Sequence, residues 1–238
     1  MKIKLLDEGY LELIEAWGAG KAGTGDAAHW DFECGIIEAA RQSTQGSFRG
    51  WDEDAKLLKR LYENRHETPF EFAGMVIEVR APIMVFREWH RHRTQSYNEA
   101  SARYAPLPDL NYVPTMERMM TPPSETNKQA GSVGGRKLIA EDADHWLADL
   151  ELHYKMAEEL YQRGLRYGVP KELARLPMPV GHYSQMRACC NLRNWLAFMT
   201  LRCDMNAQWE IRQYANAVAT IIAAIFPNTS SLYHEGRK

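Results

Sequence analysis

From Arg87 to Tyr104 the chain reads R-E-W-H-R-H-R-T-Q-S-Y-N-E-A-S-A-R-Y. Guanidinium groups keep their charge at every physiological pH and are costly to bury without a partner, so Arg87, Arg91, Arg93 and Arg103 cannot be ordinary core residues. Any fold for this chain must deliver the stretch to solvent or to an anion. Trp89, Tyr97 and Tyr104 interleave with the arginines, while Ser96, Asn98, Glu99 and Ser101 add acceptors and hydroxyls able to read a neutral polar ring. Several guanidinium forks at this spacing offer bidentate contacts to phosphate or carboxylate. The residue types therefore point to a phosphorylated, nucleotide-like ligand.

The positive charge is local. With 29 basic and 31 acidic residues the net charge is −2, so no broad field recruits nucleic acid, and a small molecule is the expected partner. The 238 residues are 45% hydrophobic and 11% aromatic, enough for one sizeable core. No repeat or linker divides residues 1–238, and a single domain is expected. The first residues, Met1 to Glu8, lack the apolar core of a signal peptide. No apolar run reaches the roughly 20 residues that span a bilayer. Four cysteines without an export signal imply reduced thiols. These features predict a cytoplasmic protein with no membrane association.

Periodicity sets the expected elements. Lys2–Leu6 reads as a strand, Tyr10–Trp17 as a short helix, and residues 18–25 as a flexible glycine-rich loop without a Gly-Lys-Ser/Thr ending. Helices are predicted over Asp26–Arg41, with Asp26 as N-cap, and from Asp52 to Arg65. Ala73, Met75, Ile77 and Val79 share one side of a strand over Phe72–Arg80. Pro82 suits the first turn of a helix through Val85, Phe86 and Trp89, so the arginine-rich stretch begins where helix gives way to loop. Residues 105–123 show no period, and 124–135 are expected to be a mobile surface loop. Glu141–Gly164 is a predicted amphipathic helix with Trp146, Leu147, Leu150, Tyr154, Ala157, Leu160 and Tyr161 on one face and Gly164 at its end. A short helix begins at Val169-Pro170. Tyr183–Cys190 reads as a strand, Asn191 as the cap of a helix carrying Trp195, Phe198 and Met199, and Met205–Phe226 as the longest helix, with Pro227 beyond it.

Other chemistry is weakly supported. His90 and His92 are flanked by three arginines that would repel a dication, and no third ligand type stands nearby, so no metal is expected. The cysteines Cys34, Cys189, Cys190 and Cys203 lie among apolar or helical residues and read as core. Ser101 has no Gly-x-Ser-x-Gly elbow and no assigned base, which favours a binding hydroxyl over a nucleophile. Arg175 and Arg202 each lie in a mostly apolar context and, if buried, need partners.

Arg91-His92-Arg93, followed after seven residues by Ser101, resembles the signature of the flavin-dependent thymidylate synthases. The likeness extends to His66-Glu-Thr-Pro-Phe-Glu71, Glu172-Leu-Ala-Arg175, Asn191-Leu-Arg193 through Arg202, and Ala207 to Tyr214. It implies an α+β fold, a single domain with a mixed β-sheet flanked by long helices, assembled as a homotetramer because the family builds each site from several subunits. It also implies methylation of dUMP to dTMP, with 5,10-methylenetetrahydrofolate giving the carbon and NADPH reducing bound FAD. By the same resemblance His66, Thr68, Arg91, His92, Arg93, Glu99, Asn191 and Arg193 would hold FAD. Arg91, Ser101, Ala102, Arg103 and Arg175 would hold dUMP, with Glu88 at a nucleotide-contacting position. Arg202 matches the activating arginine, a cation that stabilises negative charge developing on the uracil ring. The Pro-Cys-His context of the cysteine-dependent thymidylate synthases is missing from this sequence.

Three positions depart from the family pattern. Glu88 stands where many relatives have Gln contacting the nucleotide, Ala197 where an Asn contacts FAD, and Gln42 where relatives are usually apolar. Two rival readings remain. One is a same-scaffold enzyme adding a one-carbon group to another pyrimidine nucleotide. The other is a non-catalytic nucleic-acid-binding module built on the arginines of 87–103.

Overall fold

The computed structural model describes residues 1–21, 31–122 and 137–236. Its strands are β1 (Lys2–Leu5), β2 (Gly9–Trp17), β3 (Gly74–Pro82), β4 (Ser96–Glu99) and β5 (Tyr183–Asn191), in the sheet order β1-β2-β3-β5-β4. The helices are α1 (Cys34–Arg41), α2 (Trp51–Glu63), α3 (Ile83–Trp89), α4 (Met116–Met119), α5 (Ala140–Arg166), α6 (Lys171–Ala174), α7 (Leu192–Arg202), α8 (Trp209–Ile225) and α9 (Pro227–Glu235). The α+β class is as expected. The mixed sheet is corrected: all four strand pairs are antiparallel. Trp17 faces Gly74 and Pro82 faces Tyr183, so each long excursion returns the chain to the sheet at the end it left. The next strand then runs against its neighbour, and no crossover is needed.

The core lies on one side of β3. Met75, Ile77, Val79 and Ala81 are fully buried there, which is the alternation the sequence predicts. Ile211, Tyr214, Val218, Ile221 and Ile222 of α8, with Trp195, Phe198 and Met199 of α7, complete the same cluster. A fully buried side chain of this size contributes roughly 1.5–3 kcal/mol. Among the described residues, no helix is long and apolar enough to cross a membrane.

Several sequence expectations change. The helix expected over Asp26–Arg41 begins at Cys34, and the described residues 31–33 before it are not helical. Tyr10–Trp17 is strand β2, paired on both sides, with a register shift between Leu13 and Glu15. That bulge breaks the period of two, and the broken pattern imitates a helix. Helix α5 runs past Gly164 and stops at Gly168, whose φ of 80° lets its N–H reach the Leu165 carbonyl while Val169 reaches Gly164, a Schellman closure. At 27 residues α5 also exceeds the 17 of α8, and its apolar residues form two stripes. Tyr154, Ala157 and Tyr161 are buried, whereas Leu152, Met156 and Leu160 are exposed, as is Trp146.

Pro227 opens a further helix rather than only closing α8. The carboxylate of the fully buried Glu33 accepts the backbone N–H groups of Asn228 (2.9 Å) and Thr229 (2.6 Å), capping α9 from across the fold. The expected N-cap Asp26 and the loop 124–135 lie outside the described residues.

Candidate active site

Strand β3 passes into α3 at Pro82, and β5 into α7 at Asn191, with no intervening loop. The side-chain oxygen of Asn191 accepts the backbone N–H of Asn194 at 3.0 Å, which makes it the expected N-cap. Because Pro82 pairs with Tyr183 and Gly74 with Asn191, α3 and α7 start at opposite ends of the sheet. Their C-terminal ends meet. Trp89 stacks on Phe198 with ring centres 4.6 Å apart, and two negative helix poles converge where a cation is favoured.

Arg202 supplies that cation. Its Nε donates to Nε2 of His92 (2.9 Å), Nη1 to Oε2 of Glu88 (2.6 Å) and Nη2 to the Glu88 carbonyl (2.8 Å). The partners that its apolar sequence context demanded are therefore present. Arg91 donates to both oxygens of Glu88 at 3.2 Å. His92 lies edge-on to Phe198. Burial, reinforced by Arg202 and Arg91 against a smaller opposing effect of Glu88, holds the His92 imidazole down to about 4. The ring is neutral at pH 7, accepts through Nε2 and so carries its proton on Nδ1. The Tyr97 hydroxyl donates to the His92 carbonyl at 2.7 Å, fixing the turn between α3 and β4.

A second cluster occupies the start of α7. Arg193 reaches Glu67 through Nε (2.6 Å) and Glu71 through Nη1 (2.5 Å). Those carboxylates flank Pro69 in the segment that also carries His66 and Thr68. Beside them opens a cleft of about 1020 Å³ whose lining includes Phe70, Thr94, Arg193, Asn194, Ala197 and Leu201. The lining mixes apolar side chains with the charged Glu63, Arg65, Glu67, Arg193 and Glu235, and of the residues expected to hold FAD only Arg193 is part of it; the volume is large enough for a cofactor the size of a flavin. The side chain of Asn194 donates to the Thr94 carbonyl at 3.4 Å, tying the arginine-rich stretch to α7. Arg93 is exposed next to it. The sequence reading does not single out Glu67 and Glu71 as site residues; their placement one turn apart around Pro69 was the available signal.

The third group lies towards the β4 edge of the sheet and α6. Ser101 accepts the backbone N–H of Arg103 through its hydroxyl (3.3 Å), and Arg103 pairs with Glu172 at 3.1 Å. Lys171 donates to the Tyr104 carbonyl, and Ala102 is buried. Glu99 accepts from the Ser184 hydroxyl at 2.7 Å. Arg175 is exposed between the exposed Leu173 and Leu176, so its apolar context is a surface patch and not a core. Among the described residues, no hydrogen bond or ion pair joins Ser101, Arg103 or Arg175 to Arg202. Cys34 and Cys190 are buried, and burial pushes the Cys34 thiol up to about 12, far from a thiolate.

The arrangement can now be set beside known proteins. A family model described as "Thymidylate synthase complementing protein" matches residues 27–228. The flavin-dependent thymidylate synthase of Thermosipho africanus is 36% identical over 229 residues, covering 96% of this chain and 92% of that protein. A Thermus thermophilus enzyme of the same name is 36% identical over 235 residues, covering 99% and 79%. Among solved structures, a UMP/dUMP methylase, PolB from Streptomyces cacaoi, bound with 5-Br dUMP, superposes with a TM-score of 0.81 at 29% identity, covering 98% of this chain and 97% of that one. With relatives alike over almost its whole length and a family match over most of it, the chain belongs to the flavin-dependent thymidylate synthase family.

Proposed function

We propose that this protein converts dUMP to dTMP, with 5,10-methylenetetrahydrofolate as carbon donor, FAD as cofactor and NADPH as reductant. The observation that carries this reading is the placement of two groups on one helix: Arg193 beside a flavin-sized cleft at the start of α7, and the partly buried Arg202 at its end. The S. cacaoi relative, a UMP/dUMP methylase bound with 5-Br dUMP, supports a uracil nucleotide as substrate here. FAD, when bound, supplies the hydride. His66, Thr68, Asn191 and Arg193 would hold it on the cleft side, and Arg91, His92, Arg93 and Glu99 on the side of the arginine-rich stretch.

Uracil C5 is a weak nucleophile, and it becomes able to attack as N3 and the ring carbonyls take on negative, enolate-like charge. Arg202 is suited to stabilise that charge. Arg91, Ser101, Ala102, Arg103 and Arg175 would bind the nucleotide, chiefly its phosphate. We assign the protein to a homotetramer, the assembly its family resemblance implies, in which each site draws on several subunits. The exposed stripe of Leu152, Met156 and Leu160 on α5 offers apolar surface for that assembly. A cytoplasmic location belongs to the same reading.

The deciding experiment is anaerobic reduction of the purified protein followed by dUMP and methylenetetrahydrofolate. Flavin reoxidation with formation of dTMP is expected; flavin that stays reduced, with no dTMP, would overturn the proposal. A second reading, action on another pyrimidine nucleotide, rests on Glu88, and turnover of UMP without turnover of dUMP would select it. A colourless protein whose affinity for polynucleotide falls steeply with salt would instead select the nucleic-acid-binding module.

A further inference from the structure

Glu88 lies in the last turn of α3, where the negative pole of the helix disfavours a carboxylate. Two guanidiniums account for it. Arg91 approaches both carboxylate oxygens at 3.2 Å, and Arg202 approaches one at 2.6 Å. The backbone carbonyl of Glu88, one of the acceptors a helix leaves open at its C-terminal end, takes a second Arg202 donor at 2.8 Å. The neutral His92 takes a third at 2.9 Å. Among the described residues, each guanidinium nitrogen of Arg202 thus gives one N–H to the protein, and each terminal nitrogen keeps one more. A freely swinging arginine loses rotamer freedom when it meets a substrate. One held beforehand does not, and donors already aimed at developing charge need no reorganisation during the reaction.

We propose that Glu88 is a positioning residue of the active site, whose carboxylate and carbonyl fix the Arg202 guanidinium so that its two remaining donors serve the uracil nucleotide. The inference rests on the reading of Arg202 as the activating arginine. Glu88 acts through Arg202, which gives a physical role to a position where this chain departs from the Gln of many relatives. A Gln at 88 can still accept the Nη1–H through its amide oxygen. Ala removes that acceptor but leaves the carbonyl and His92 anchors in place, so one hold of three is lost while the fold is kept.

Two measurements on the flavin-loaded, full-length protein test this. In the first, phenylglyoxal labels arginines without substrate, and peptide mass spectrometry compares Arg202 with Arg41. The two side chains are equally enclosed, at 13% exposure each, and Arg41 is held by Asp54 elsewhere in the fold. Glu88→Ala should raise the Arg202 to Arg41 labelling ratio roughly tenfold, the range for one lost charge-assisted bond, while Glu88→Gln stays close to the parent. In the second, Glu88→Ala should lower kcat for dUMP methylation by roughly tenfold, beyond any change in KM for dUMP that the release of Arg91 brings, and Glu88→Gln should restore kcat.

A labelling ratio that does not move in Glu88→Ala overturns the proposal whatever the substrate is, because labelling requires no turnover. Parent-like kcat in Glu88→Ala, or equal damage from Gln and Ala, overturns it too. A parent protein that fails to methylate dUMP, while the labelling ratio shifts as expected, sinks the functional reading and upholds the anchoring of Arg202 by Glu88.

Discussion

His92 accepts the Nε–H of Arg202 at 2.9 Å through an imidazole that is uncharged at neutral pH. The bond exists only while that ring lacks its second proton. His92 titrates at about 4 in the folded protein against roughly 6.5 unfolded. Between those values the unfolded chain binds the extra proton, so stability rises with pH. The melting temperature should therefore fall as pH is lowered from 6.5 towards 4. His92→Gln, which keeps an acceptor but cannot titrate, should flatten that part of the curve. An NMR titration placing the His92 midpoint between 6 and 7 would refute this account.

Arg202→Ala should retain bound flavin, because α7 lines the cleft through Arg193, Asn194, Ala197 and Leu201 and not through Arg202. Methylation should fall by roughly 10²–10³, the usual loss on removing one charge-stabilising donor. Flavin absorbance and dTMP formation measured on the same sample check both halves. Near-normal turnover would remove Arg202 from the chemistry.

The Ser101 hydroxyl accepts a backbone N–H from Arg103 and serves binding in this reading. Ser101→Ala should weaken dUMP binding by a few-fold to roughly tenfold, as for one lost hydrogen bond, with turnover preserved at saturating dUMP. Complete loss of activity with dUMP still bound would reopen a nucleophilic role.

Glu33 joins α9 to the rest of the fold, and Leu232 and Tyr233 of α9 line the flavin-sized cleft. Glu33→Ala leaves the first N–H groups of α9 without their buried acceptor and should cost about 3 kcal/mol. Urea unfolding measures the loss. Flavin retention after gel filtration should fall in parallel, and an unchanged unfolding midpoint would show that the cap contributes nothing.

Met156→Glu combined with Leu160→Glu puts two charges on the exposed stripe of α5, and charge is strongly disfavoured in an apolar contact. Sedimentation should show smaller species than the proposed tetramer, with methylation lost because in that reading each site draws on several subunits. A tetramer that persists would move the contact to another face.

Elements with an unbroken period were readable from the sequence. Met75, Ile77 and Val79 alternate cleanly and form the buried side of β3, and Asn191 caps α7 as its residue type suggests. Strand β2 was masked because its bulge interrupts the alternation. Long-range partners leave no local trace. Glu88 and Arg202 are 114 residues apart and Glu33 lies 196 residues from Thr229, so nothing near either end names the other. The family resemblance located Arg202 and flagged Glu88 as unusual, yet only the folded geometry shows that the two residues are partners.

Strand β5 becomes α7 at a single residue, which welds the helix to the sheet. Arg193 and Arg202 are nine positions apart on that helix, so about 13 Å of axial rise separates them at 1.5 Å per residue. In the proposed reading the helix sets the spacing between Arg193, which would hold the cofactor, and Arg202, which would face the uracil ring. One alanine inserted near Leu196 would turn Arg202 by about 100° relative to Arg193. No reacting group would be altered, yet the two halves of the catalyst would fall out of phase.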